Sequence, residues 1–223
     1  MKKNHSLLIL MISIGKIYSQ DIIHEIIRDE SGLLKKIQYI KLTKNSSFKI
    51  REIDFYENGN KSISKNFNKY GDVKEVFEWY KNGQKKLEKY FINGTKNGIW
   101  KEWYQNGNMK SEINYLSDLS NGSVMTWNEK GQINYHGNFI ADTTNNISKE
   151  NGWVTEWFDN GQKKSERHYK NGQLDGFSYR WYKNGQRLET GKFYNGSGIV
   201  YTWDVNGKKI NEKTYENGIE TKD

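Results

Sequence analysis

The side chains best suited to bind a metal ion or to move a proton in this chain are its four histidines, His5, His24, His136 and His168. No two of them stand at the spacing of a metal-binding pair, and the 223-residue chain has no cysteine that could complete a ligand set. We therefore interpret the histidines as isolated surface side chains. The sequence predicts no metal site and no cofactor.

Carboxylates are the second group that could carry catalysis, as paired general acids and bases. Glu102, Glu112, Glu156 and Glu166 recur because the sequence around them recurs. A glycoside hydrolase needs one pair of carboxylates in a cleft, and a repeating sequence supplies no unique place for it. We interpret these residues as solvated positions on strands and expect no enzyme activity.

Glycine-rich stretches such as WYKNGQRLETGKFYNGSG, residues 181–198, could form a phosphate-binding loop or tight turns. The nearest approach to a nucleotide loop, GQRLETGKF, has one residue too many between its glycines, and Phe193 stands where Ser or Thr would hold the metal. Thirteen of the 21 glycines follow Asn, and Asn-Gly between alternating polar and aromatic residues is typical of a hairpin. We predict type I′ turns, with positive φ at both central residues.

The turns belong to a repeat that is marked by seven aromatic residues, which we call the anchors. They recur at intervals of 24, 24, 24, 30, 24 and 22 residues and are Phe55, Trp79, Trp103, Trp127, Trp157, Trp181 and Trp203. A glycine follows each anchor by four residues, and a second aromatic residue follows it by twelve. Such self-similarity indicates a repeat architecture. Residues 51–223 are therefore predicted to form about seven 24-residue hairpin repeats, with thirteen or fourteen strands, and the polar insertion at 141–152 is expected to be a longer loop.

The Asn-Gly turns also predict the strand register. A two-residue turn places the glycine five residues before an anchor opposite the aromatic residue twelve after it: Gly122 opposite Phe139, Gly152 opposite Tyr169, Gly176 opposite Phe193 and Gly198 opposite Tyr215. We expect each ring to cover the backbone of its glycine and to fix the register. The same arithmetic places Arg180 opposite Glu189 as a cross-strand ion pair.

The alternation does not identify a single buried face. Phe177, Tyr179 and Trp181 share one face of a strand, whereas Tyr182 and Phe193 lie on the other. Three explanations stay open: bulges rephase the strands, the ribbon twists until both faces are covered, or a partner covers one face.

The N-terminus has the order of residues of a secretory signal. Residues 1–19 begin with two lysines, continue with an apolar run at 7–14 and end in Ser19, which precedes Gln20 at a predicted cleavage position. The run is shorter than the roughly 20 residues that span a bilayer. We expect an exported chain, periplasmic or extracellular. Residues 20–50 form an N-terminal segment, interpreted as a degenerate repeat, whose strand or helix character stays open.

Charge argues against one class of partner. The formal net charge is +8, with 35 Lys and Arg against 27 Asp and Glu. The two signs are interleaved along the chain and do not form blocks. This pattern is typical of a solvated mixed surface, and we expect no nucleic acid as a partner.

The repeated units resemble a known group. EWYKNGQKKLEKYFINGTKNG and EWFDNGQKKSERHYKNGQLDG are similar to the MORN-type repeat variant of YwqK-like bacterial proteins, which often have the label of toxin–antitoxin antitoxins. The resemblance extends over residues 55–218. It implies an elongated antiparallel β-meander, a MORN-like repeat sheet that serves protein or membrane contacts and has no chemistry of its own.

Two functions follow as expectations. The first is a non-enzymatic scaffold for protein–protein interaction at the bacterial cell envelope, antitoxin- or immunity-like. The alternative is a hairpin repeat protein whose rings bind an envelope glycan or a choline-type ligand. We expect another protein as the partner, with an envelope glycan or a membrane surface as alternatives. The candidate binding rings are Trp100, Trp153 and Phe177, which lie outside the period, whereas the anchors are expected to pack one repeat on the next.

Overall fold

Every regular element that the structure describes is a β-strand. The structure is a computed structural model that describes residues 8–12 and 22–221. Its strands are β1 (Leu8–Ile12), β2 (Ile22–Arg28), β3 (Leu34–Leu42), β4 (Ser47–Phe55), β5 (Lys61–Phe67), β6 (Val73–Trp79), β7 (Lys85–Ile92), β8 (Thr95–Lys96), β9 (Gly98–Trp103), β10 (Met109–Leu116), β11 (Leu119–Trp127), β12 (Ile133–Asp142), β13 (Ile147–Glu150), β14 (Gly152–Trp157), β15 (Lys163–Lys170), β16 (Gln173–Trp181), β17 (Arg187–Tyr194), β18 (Ser197–Trp203), β19 (Lys209–Glu216) and β20 (Ile219–Glu220). The predicted class, an all-β antiparallel meander of hairpins, is confirmed.

The structure tests only some of the predictions made for the N-terminal residues. The segment after the expected signal peptide, for which strand and helix stayed open, forms β2, β3 and the start of β4. Within residues 1–19, only 8–12 are described, as β1, which pairs antiparallel with β2. The predicted cleavage position at Ser19 and Gln20 lies outside the described residues.

The chain forms two compact units. The first comprises residues 1–98 and 102–107, and in it each strand from β1 to β8 pairs antiparallel with the next. The second comprises residues 99–101 and 108–223. From β10 onward each of its strands pairs with its successor, except that β13 and β14 both pair with β12. Each unit is thus a hairpin meander.

We call the turn that follows each anchor the anchor turn. It is not of the predicted type I′. After Trp79, Tyr80 N donates to Gln84 O at 2.8 Å and Gly83 N donates to Tyr80 O at 2.8 Å. This is a type I turn closed by a glycine bulge. The anchor-turn glycines have φ between 79° and 89°, but the residue before each of them, Asn in six turns and Lys130 in the seventh, is not among the residues with positive φ. The type I′ prediction is therefore wrong here, because the φ of Asn82 stays in the ordinary range while its side chain binds the backbone.

Four of the turns that connect successive hairpins follow the type I′ prediction. Asn93 and Gly94, for example, have φ of 50° and 80°. The same pair of positive angles recurs at Asn171-Gly172, Asn195-Gly196 and Asn217-Gly218. Asn is favoured in this left-handed region because its side chain tolerates it better than most. The dipeptide Asn-Gly therefore occurs in two different turn types of this chain.

The predicted register is confirmed at all four Gly-aromatic pairs of the second unit. An extra residue after each anchor turn restores the register that the longer turn would otherwise change; at Trp127 the shift falls between Thr126 and Trp127. At Gly152 the structure does not show the predicted ring cover. A Cβ on Gly152 would lie within 4 Å of nothing, whereas one on Gly191 would lie 2.6 Å from the ring of Phe193. The Phe193 ring lies against Gly191 of its own strand and against Gly198, with which it also pairs, and the atoms nearest the Cβ position of Gly176 are those of His168.

The polar insertion at 141–152 is not the expected loop. It lengthens a hairpin, because Asp142, the last residue of β12, pairs with Ile147, the first residue of β13. Asp142 Oδ2 accepts hydrogen bonds from Asn145 Nδ2 at 2.9 Å and from Lys149 Nζ at 2.7 Å. These bonds hold the pKa of Asp142 below its usual value and close the turn.

The hydrophobic core is small. In the described part of the chain, the buried apolar side chains are Ile53, Leu87, Val124 and Phe193. Each unit is one layer of sheet, so both faces stay half exposed and rings occur on both. Of the three explanations for rings on two faces, the structure shows the bulges, which lie next to the anchors.

Candidate interaction surface

The anchors lie at the ends of strands, and within each unit they share one face of the sheet, which we call the anchor face. Each anchor is the last residue of its strand and is half-buried. The tyrosine that follows an anchor reaches the next one: Tyr80 Oη donates to Trp103 O at 2.7 Å in the first unit, and Tyr182 Oη donates to Trp203 O at 3.0 Å in the second. The anchors and their tyrosines therefore join successive hairpins.

The anchor turns are joined by a second set of hydrogen bonds. Asn82 Nδ2 donates to Gln105 O at 3.0 Å, and Asn160 Nδ2 donates to Lys183 O at 2.9 Å. The Oδ1 atom of Asn82 accepts a bond from Gln84 N at 3.1 Å within its own turn. One Asn thus fixes its own turn and binds the next. The sequence analysis missed this role because it assigned these residues to backbone conformation alone.

A row of exposed apolar side chains emerges when the strands are aligned on the glycine five residues before the anchor. The next residue, four before the anchor, we call the slot. It is 44% exposed at Ile99, 42% at Trp153, 45% at Phe177 and 38% at Ile199, and only Ser123 interrupts the apolar series in the second unit. Because slot and anchor are an even number of residues apart, both lie on the anchor face.

Two of the three predicted binding rings share this slot. Trp153 and Phe177 occupy it, whereas Trp100 stands one residue beyond Ile99 and so faces the opposite side. The Trp100 ring packs against Tyr115, with the centroids 5.1 Å apart. Ile99 and Ile199 occupy the same slot but are not aromatic, so the sequence does not mark them as departures from the period. They become apparent when the strands are aligned on the preceding glycine.

Three slot residues, on β14, β16 and β18, form a row on the anchor face that we call the exposed row. Trp153 pairs with His168, and their rings meet edge to face at 5.1 Å. Phe177 pairs with Lys192, which in turn pairs with Ile199. The exposed row therefore alternates apolar slot residues with polar neighbours. Beside it lies a depression of about 410 Å³ lined by Thr190, Gly191, Lys192, Gly198, Ile199 and Tyr201.

The rings next to the exposed row are covered by cations of the chain itself. Phe177 stacks on Tyr179 with 5.8 Å between the centroids and 8° between the planes, and Tyr179 lies 5.9 Å from Trp181. Arg187 sits 4.6 Å from the centroid of Tyr179 and 4.9 Å from that of Trp181. Lys192 Nζ lies 5.7 Å from the centroid of Phe177. These cation–π contacts use ring faces that a cationic ligand would need.

Other kinds of site are missing from the described residues. No group of three or more His, Cys, Asp or Glu side chains there could hold a metal ion. The same residues include no helix with the length and apolar character needed to cross a bilayer.

Residues 96–116 and 150–171 match the family model described as MORN repeat variant. The first match contains the hairpin of β9 and β10, and the second contains that of β14 and β15. Each includes a slot residue, Ile99 or Trp153. No curated protein matches the chain. MORN repeats are non-catalytic hairpin scaffolds, and the fold observed here is consistent with a scaffold for protein or ligand interaction.

Proposed function

We propose that this chain is a non-enzymatic repeat scaffold that binds another protein through the exposed row. The observation that supports this most directly is the exposure of Trp153, Phe177 and Ile199 at the same position of successive hairpins. Exposed apolar side chains with a polar rim are typical of protein interaction sites. Large aromatic residues often contribute much of the binding energy at such sites. The polar neighbours His168 and Lys192 provide such a rim.

The ring geometry favours a protein over a choline-type ligand. A quaternary ammonium group binds over open aromatic faces. At Tyr179 and Trp181 that position is occupied by Arg187, and at Phe177 by Lys192. A cationic ligand would have to displace the chain's own cations, whereas an apolar side chain of a protein can pack on the exposed ring edges beside them.

We further propose that the scaffold acts at the bacterial cell envelope in an antitoxin- or immunity-like role. The order of residues at 1–19 supports export. The similarity of the repeats to the YwqK-like group supports the antitoxin- or immunity-like role.

The exposed row can be tested by affinity capture from an extract of the source cells. Full chain carrying Trp153→Ser and Phe177→Ser is expected to retain less than a tenth of the protein captured by the unmodified chain. The matched control is Ile92→Ser, because Ile92 is 60% exposed and lies in the other unit. Capture should persist in the control, since it removes an exposed apolar side chain that lies outside the exposed row.

A stability comparison separates binding from packing. Trp157→Ala should lower the free energy of unfolding by about 3 kcal/mol, the low end of the range for a large ring, because Trp157 is only half-buried. Trp153→Ala should cost less because that ring is 42% exposed. Equal melting losses for both variants, together with unchanged capture by Trp153→Ala, would reassign Trp153 to packing and contradict the proposed function.

A further inference from the structure

A groove of about 640 Å³ lies on the face opposite the anchors, within the second unit. Its floor follows one row of paired residues across β15 to β19. Arg167 pairs with Ser178, Ser178 with Gly191, Gly191 with Val200, and Val200 with Lys213. The groove is deep because the side chains in the middle of the row are small. A cation lies at each end of the row.

Arg167 is the least neutralised cation of this groove. Its side chain is half-buried, and it has no hydrogen bond, ion pair or ring contact among the residues that the structure describes. Arg180, by contrast, donates to both carboxylate oxygens of Glu189 at 3.1 Å, and Lys213 Nζ lies 2.9 Å from Glu220 Oε2. A guanidinium carries five donors in a planar fork, so Arg167 presents an unused pair of donors to the groove.

The charge of the groove favours an anion. Arg167, Arg180 and Lys213 line it; Glu189 pairs with Arg180 and Glu220 with Lys213, so Arg167 supplies the uncompensated positive charge. A guanidinium fork matches the two oxygens of a carboxylate in a bidentate pair. The buried ring of Phe193 adds an apolar wall beside the floor.

The length of the groove favours a peptide over a small ion. Four strand spacings of about 4.8 Å separate β15 from β19, so Arg167 and Lys213 stand roughly 19 Å apart. A single inorganic anion cannot reach both cations. An extended peptide of about six residues covers this distance, since each residue spans about 3.3 Å.

We propose that this groove binds an extended acidic peptide segment of a partner protein, with one of its carboxylates held by Arg167. The segment crosses the strands, and a second carboxylate near its other end lies close to Lys213. The exposed row lies on the anchor face and takes no part in this contact. Binding at the groove and binding at the exposed row can therefore be tested independently.

The test is fluorescence anisotropy with the full chain and two labelled probes, hexaglutamate and hexaglutamine. The unmodified chain should bind hexaglutamate at least tenfold more tightly than hexaglutamine. Arg167→Gln should weaken hexaglutamate binding at least tenfold, and Arg167→Lys should weaken it less, because the charge remains but the fork is lost.

The matched control is Lys170→Gln, which removes the same charge from the exposed end of the same strand. It should change affinity less than threefold, and Trp153→Ser should leave it unchanged. Equal weakening by Arg167→Gln and Lys170→Gln would show unspecific charge attraction and overturn the proposal. Equal affinity for the two probes would also overturn it, as would binding of inorganic phosphate without binding of hexaglutamate.

Discussion

Replacement of Asn82 by glycine is expected to destabilise the chain, whereas the same replacement at Asn93 is expected to change stability little. Both residues precede a glycine in a hairpin turn. Asn93 has φ of 50°, but Asn82 is not among the residues with positive φ. Asn82 instead donates to Gln105 O at 3.0 Å and accepts from Gln84 N at 3.1 Å. The two asparagines therefore serve their turns by different physical means.

The expected size of the effect follows from these contacts. Asn82→Gly removes two solvent-exposed hydrogen bonds, each worth about 0.5 kcal/mol at the low end of the usual range. Glycine adds about 0.5–1 kcal/mol of backbone entropy cost, which gives a loss of about 1.5–2 kcal/mol. At Asn93 part of the same entropy cost is offset, because glycine adopts the left-handed conformation more readily than Asn does.

Urea unfolding of both glycine variants and of Asn82→Asp would measure the difference as shifts of the midpoint at constant slope. Aspartate keeps the acceptor for Gln84 N and loses the donor to Gln105 O. Its loss should therefore be about 0.5 kcal/mol, between the unmodified chain and Asn82→Gly. Equal responses to glycine at Asn82 and Asn93 would refute the division into two turn types.

Two further predictions concern pH and processing. Burial, together with the nearby charges of Glu150 and Glu156, raises the pKa of Tyr135 to about 12 from a usual value of 10.0. The neutral Tyr135 therefore stabilises the fold fully below about pH 10, and this contribution is lost as the pH rises through 12. In Tyr135→Phe the melting temperature should fall less steeply between these two pH values. The same slope of melting temperature against pH in the variant and the unmodified chain would contradict the assignment. Mass spectrometry of the native protein should find a chain that starts at Gln20 outside the cytoplasm, whereas an intact N-terminus in the cytosol would contradict export.

The sequence was sufficient to predict the hairpins and their register, because both depend on local spacing. The glycine after each anchor and the aromatic residue twelve after the anchor recur so regularly that pairs such as Gly198 and Tyr215 follow by counting. The turn type at Asn82 did not follow. Type I and type I′ turns both place Gly83 in the left-handed region, and the φ of Asn82 is tied to a hydrogen bond with the next repeat.

The binding surfaces were predictable only where a side chain departs from the period. Trp153 and Phe177 stand out as extra rings, and the structure places both in the exposed row. Ile199 belongs to the same row but resembles an ordinary strand residue in the sequence. Nothing in the sequence marks Arg167 as a binding residue. It was chosen because its side chain has no partner among the described residues, and this depends on the placement of the neighbouring side chains.

The thinness of each unit has a thermal consequence. The heat capacity change of unfolding rises with the apolar surface that becomes exposed and falls with the polar surface. With four buried apolar side chains in the described part and a mean hydropathy of −0.99 for the whole chain, this protein gains little apolar exposure on unfolding. Its heat capacity increment per residue should therefore lie below the usual 12–15 cal/mol/K or so. A small increment flattens the dependence of stability on temperature, so a sheet held by backbone and turn hydrogen bonds keeps a similar margin of stability in the cold and in the warm.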